Sequence, residues 1–147
     1  KQNLKKGTVE YANALSTVAM DAKKSADAEV ESLSKSLVKN REHLSIAKQR
    51  VVVAQEATAA AKKELDMALN ANDIAATEVA QTKVAIAAKR EDTAINEVNT
   101  ISRKINNQEK RIGTARTQAD TAATIINNAT TAGNTAAANL SARAHSF

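Results

Sequence analysis

The sequence predicts an all-α fold, a long antiparallel two-helix coiled-coil hairpin with an alanine-rich seam, and three observations carry that expectation. Apolar residues recur at spacings of three and four through both halves of the chain. Alanine occupies 32 of the 147 positions, about half of everything apolar, while the aromatics amount to one Tyr, one Phe and no Trp. The two halves keep separate heptad frames that fail to join across a short Asn- and Asp-containing segment near the middle.

In the first half, setting Val30 as heptad position a places Leu37, Leu44, Val51 and Leu65 at a, and Ala47, Ala54, Ala61 and Ala68 at d. Five heptads of that period make a coiled-coil seam. Its polar members, Asn40 and Thr58, admit two readings: polar seam residues that fix register at some cost in stability, or a wet spot in a narrow seam. Upstream, Tyr11, Leu15, Val18, Ala22 and Ala26 extend the stripe with a one-residue slip near Ala26.

The second half repeats the design, with Val84, Val98, Ile105, Ile112, Ile126 and Leu140 at a. Position d is Ala80, Ala87, Ala94, Ala115, Ala122, Ala129 and Ala136. Glu91, Gln108, Ala119 and Gly133 interrupt the pattern without shifting it, and the frame runs through Asn106-Asn107 and Asn127-Asn128, so one continuous helix is expected. Gly113 inside it costs about 1 kcal/mol relative to Ala.

Leu65 at a predicts the next a at Asn72, whereas the downstream frame requires one at Thr77. A turn at about residues 70–73 resolves the mismatch, leaving arms at about 8–69 and 74–144. Asn and Asp there tolerate a left-handed helix end and can cap the next helix. Reflection about residue 71 pairs Leu44 with Val98, Leu37 with Ile105 and Val30 with Ile112, so that layers of large residues alternate with layers of alanine. Each arm of about 70 residues would reach roughly 100 Å. The alternative is an elongated four-helix bundle of roughly 50 Å, with breaks near Asn40 and Asn106; two apolar positions in seven favour the hairpin. The start at Lys1 and the end at Ala144-His145-Ser146-Phe147 suggest a single-domain piece of a larger protein.

Composition narrows the function classes. Three Gly and no Pro leave little punctuation for sheets or compact α/β folds, which makes a deep enzyme pocket unexpected. A formal charge of +5 comes from 21 basic and 16 acidic residues spread in singles and pairs, without the interleaved aromatics of a nucleic-acid groove. No apolar run approaches the roughly 18 residues of a membrane span. Without cysteine there is neither a disulfide nor a thiolate metal site. His43 and His145 stand about a hundred positions apart and outside any ligand motif, and neither a nucleophile elbow nor a phosphate-cradling Gly loop occurs. No catalytic, metal or cofactor residue is therefore expected.

The remaining candidates for contact lie at the turn: Leu69, Asn70, Ala71, Asn72, Asp73 and Ile74, with Met67 nearby. The segment lacks the Trp, Tyr and Arg anchors typical of binding hot spots, so Leu69 and Ile74 would have to supply the apolar contact.

Lys62-Lys63-Glu64-Leu65-Asp66-Met67-Ala68, set in a long Ala- and Lys-rich helix, resembles the Lys-x-Glu-Leu-Asp-x-Ala pattern in the central coiled coil of colicin-type bacteriocins. A similar rhythm runs from Asn40-Arg41-Glu42 to Ala68, covering about thirty residues. The resemblance implies the receptor-binding rod of a secreted toxin, whose apex touches an outer-membrane receptor protein of a target bacterium. The chain departs from the family's E-group pattern, where the apex is longer and holds aromatic and Gly residues. Two other classes fit the same architecture: a structural spacer or stalk, self-associating through its exposed Ala-rich edges, and a periplasmic efflux-adaptor hairpin. The adaptor's Arg and Leu tip motif is missing around Asn70 to Asp73, and so are its lipoyl half-motifs.

Overall fold

A computed structural model describes the backbone of residues 2–145 and the side-chain surroundings of residues 9–135 and 138–141. Helix α1 spans Gln2–Asn70 and helix α2 spans Ile74–His145, and the two pack against each other with no strand among the described residues. The fold is thus the all-α helical hairpin. Both helices run unbroken past Asn40 and Asn106, which rules out the four-helix bundle. The first arm begins several residues before the expected position 8. The asparagine pairs of α2 stay helical because their side chains face outward, where water satisfies them.

Contacts divide the hairpin into two units, one formed by the segments up to Lys35 and from Glu109, the other by Ser36–Gln108. In the Ser36–Gln108 unit, Leu37, Asn40, Ala47, Thr58, Ala61 and Ala68 of α1 are buried, as are Ala80, Ile105 and Gln108 of α2. Every one occupies an a or d position of the expected frames. The larger seam residues Leu44, Val51, Leu65, Val84 and Val98 are only half-buried. A seam between two helices has no third layer to cover them, so alanine, which reaches solvent least, forms much of the dry part.

In the other unit the buried residues are Ala12, Ala19, Ala26 and Leu33 of α1 and Ile112, Ala115, Ala119, Ala122 and Ala129 of α2. This corrects the expected slip near Ala26. Ala12, Ala19 and Ala26 continue the d series of Leu33 and Asn40 at an unbroken spacing of seven, while Tyr11, Leu15 and Val18 are exposed on the flank. Position a here is filled by Ser16, Lys23 and Val30, all half-buried. Lysine is tolerated at such a place because its apolar stem can be covered while the charge stays in water, and here the exposed ammonium reaches Asp27 at 2.9 Å. The expected d residue Ala136 lies outside the described side chains.

The pairing of the arms is also corrected. A Cβ added to Gly133 would lie 3.7 Å from the Ala12 Cβ, which puts the mirror point between residues 72 and 73 and not at 71. An a residue of one helix then shares its level with a d residue of the other. Val30 comes level with Ala115, and Ala19 with Ile126. Large therefore meets small in these layers, the arrangement that lets two backbones approach closely without voids, whereas Leu33 comes level with Ile112 and Leu44 with Ile101.

Ion pairs cross between the arms inside each unit. Glu29 meets Arg111 at 3.6 Å in the first, while Arg50 meets Glu97 at 3.0 Å and Glu64 meets Lys83 at 3.2 Å in the second. All are exposed, so each is worth at most about 1 kcal/mol. Thr93, Thr100, Thr114, Thr117 and Thr124 donate their hydroxyls to the carbonyl four residues earlier at 2.9–3.1 Å. The threonine-rich flank is thereby satisfied by its own backbone.

Gly113 has nothing within 4 Å of where a Cβ would project. Gly113→Ala is expected to stabilise the hairpin by about 1 kcal/mol, through the backbone entropy that glycine loses in a helix. A shift of the urea midpoint to higher concentration at constant slope checks it.

Candidate interaction site

The turn is built from two interlocking helix ends. At the close of α1, the Asp73 N–H donates to the Ala68 carbonyl at 3.2 Å and the Asn72 N–H donates to the Leu69 carbonyl at 3.1 Å. These are the two bonds of a Schellman motif. The motif needs a left-handed residue at its corner, and Asn72 supplies it with φ of 55°. Asparagine adopts that conformation more readily than other residues bearing a Cβ.

Asp73 then opens α2. Its Oδ1 accepts from the Ala76 N–H at 3.0 Å, and its carbonyl accepts from the Thr77 N–H at 2.9 Å and the Thr77 hydroxyl at 2.6 Å. A carboxylate at this position also meets the positive end of the helix dipole. Three residues thus reverse the chain and satisfy orphan backbone groups at both helix ends.

Of the six turn candidates, the structure gives Asn72 and Asp73 structural work. Leu69 at 51% and Ile74 at 77% exposure remain uncommitted, and they line a shallow depression with Asn72, Thr77 and Glu78. Asn70 and Ala71 are exposed beside them, and Met67 is exposed one turn back. The apex therefore offers two or three apolar side chains on a fixed backbone.

Deeper in the same unit lies a polar contact that sequence spacing marked only by halves. Asn40 Nδ2 donates to Gln108 Oε1 at 2.7 Å, and Gln108 Nε2 donates to Ser36 Oγ at 2.8 Å. Asn40 is 7% and Gln108 8% exposed, so the pair is dry, and it decides between the two readings of Asn40 in favour of a paired seam residue. Thr58 differs. Its hydroxyl turns back to the Ala54 carbonyl at 3.0 Å and has no cross-arm role.

A second surface runs along one flank of this unit. Val53 and Ile86 stand exposed there among Ala57, Ala60 and Ala94, between the two cross-arm ion pairs, and Ile46 stands exposed one turn beyond the Arg50–Glu97 pair. Apart from Ala94, a seam d residue, they follow heptad positions c and g, a pattern masked in the sequence by the stronger a and d series.

No group of three His, Cys, Asp or Glu residues able to hold a metal occurs among the described residues. His43 is exposed; His145 lies outside the described side chains. Among the described residues, no helix is long and apolar enough to cross a membrane. The fold and its surfaces define the chain as an antiparallel helical hairpin with an apolar apex and an apolar flank. Comparison with models of known protein families, with curated proteins and with solved structures finds no match.

Proposed function

We propose that this chain is a non-catalytic interaction domain that meets a protein partner with the apex of its hairpin. The observation that carries the reading is the division of labour at the turn: Asn72 and Asp73 hold the backbone, leaving Leu69 and Ile74 free on a preorganised end. Preorganisation lowers the ordering cost of binding, so a small patch can serve. Within that class, the resemblance at Lys62 to Ala68 favours the receptor-binding rod of a secreted colicin-like bacteriocin, with an outer-membrane receptor protein as partner. The structural spacer is the second reading, favoured by the apolar flank around Ile46, Val53 and Ile86.

The test avoids the capping residues. Asp73→Ala would cost about 1 kcal/mol of helix stability by itself and confuse binding with folding. Leu69→Ala together with Ile74→Ala leaves both caps in place and is expected to weaken binding to outer-membrane fractions of susceptible bacteria at least tenfold, with helicity by circular dichroism unchanged. Equal binding by the double variant and the parent chain would reject the apex as the contact.

A further inference from the structure

We infer that the apolar flank of the Ser36–Gln108 unit is a docking surface for a second copy of this chain, aligned parallel to the first about a twofold axis running along the groove.

The argument begins with the order of charges. On this flank the g positions of the two arms face each other in three successive rungs: Arg50 with Glu97, Ala57 with Arg90, and Glu64 with Lys83. The outer rungs are closed ion pairs. In the middle one, Arg90 has no ion-pair partner among the described residues and stands beside alanine. Between the rungs lie Val53 and Ile86, with Ile46 one turn beyond the Arg50–Glu97 rung, each about half exposed or more, and Ala60 and Ala94 line the same groove.

A copy placed against this face by a twofold axis along the groove brings α1 over the partner's α2. Each rung then meets its own reverse. Arg50 faces Glu97 of the partner subunit, Glu64 faces Lys83 of the partner subunit, and the outer rungs become squares of alternating charge. Arg90 faces Ala57 of the partner subunit, away from any like charge. A twofold axis across the groove also satisfies the outer rungs, but it sets the two Arg90 guanidiniums against each other at the centre, where like charges cost most. Self-complementarity about a twofold is what an isologous interface requires. Self-complementarity of charge thus selects both the occupant and its direction. The rungs span about 14 residues of each helix, roughly 20 Å, which is short for a permanent interface. Association should be reversible and concentration dependent.

This inference does not depend on the apex reading, since its residues lie on the flank and its test uses no receptor. Sedimentation equilibrium of the 147-residue chain is expected to show a monomer–dimer equilibrium. Ala57→Arg, a helix-compatible change that sets Arg against the partner's Arg90, is expected to weaken the dimer at least tenfold with unchanged helicity. Ala57→Glu is expected to keep or tighten it. A monomer at every concentration, or a dimer indifferent to Ala57→Arg, would overturn the proposal.

Direction is read separately. The chain has no cysteine, so Asn70→Cys accepts a single spin label at the exposed apex. Parallel copies bring the two labels within about 25 Å, whereas antiparallel copies centred on Ala57 hold them about 40 Å apart, 13 residues of helix rise on either side. The longer distance would overturn the parallel arrangement.

Discussion

Ala115→Leu is expected to destabilise the hairpin by about 1–3 kcal/mol, although leucine is larger, more apolar and nearly as good a helix former. Ala115 is 1% exposed at a d position of α2, and the pairing of the arms brings it level with Val30. The small side chain is what lets the two helices come together there. Three added carbons would have to enter a layer already filled by valine, and the narrow seam has no second shell that could relax around them. The helices must separate locally, which strips contacts from the neighbouring Ile112 and Ala119 layers as well. Ala59→Leu makes the same change on an exposed face and should fall within about 0.5 kcal/mol of the parent. Urea unfolding of the two variants beside the parent separates steric cost from any general effect of leucine. Equal midpoints for both would mean that the alanine layers are not tightly packed.

That expectation rests on a pairing that the sequence alone did not reveal. The heptad frames were legible over most of the chain because alanine at d alternates with branched residues at a, and the frame of α2 holds from Ala80 to Ala129. The mirror point was not legible. Matching large layers to large ones placed it at 71, whereas close packing of antiparallel helices matches a with d and moves it between 72 and 73. The slip near Ala26 arose from the same bias toward bulk. Tyr11, Leu15 and Val18 look like a seam by hydrophobicity, while the buried line is Ala12, Ala19 and Ala26, flanked by Ser16 and Lys23. In a two-helix seam, small size decides burial more than hydrophobicity does.

The turn was legible in position and only partly in chemistry. Asn and Asp between two broken frames marked a reversal, and their capping roles follow from residue type. Sequence could not show that both would be used up in capping, which removes them from the contact candidates and leaves Leu69 and Ile74. The partnership of Asn40 with Gln108 was hidden for a related reason. Each was visible as a polar residue at a seam position, but their meeting depends on the mirror point.

Asn40→Leu is expected to cost about 1–3 kcal/mol, and Asn40→Leu with Gln108→Leu is expected to recover that loss. The single change removes the donor from Gln108 Oε1 at a site that water reaches poorly, leaving a buried acceptor unpaired. Gln108 keeps its bond to Ser36 through Nε2, so the residual cost concentrates on one carbonyl oxygen. Replacing both partners removes the unpaired group and adds apolar surface to the seam. A double-mutant cycle by urea unfolding should therefore give a coupling of roughly 0.5–3 kcal/mol. Register is a separate matter. A slip by one heptad would require seven residues to leave the helix at a turn that both caps close within three, so the turn already fixes alignment in this unit. Disulfide trapping tests that step: Arg50→Cys with Glu97→Cys should oxidise in the double leucine background as it does in the parent. Ala57→Cys with Glu97→Cys, one heptad out of step, should not. Trapping of the out-of-step pair only when both leucines are present would transfer the register-fixing role from the turn to Asn40 and Gln108.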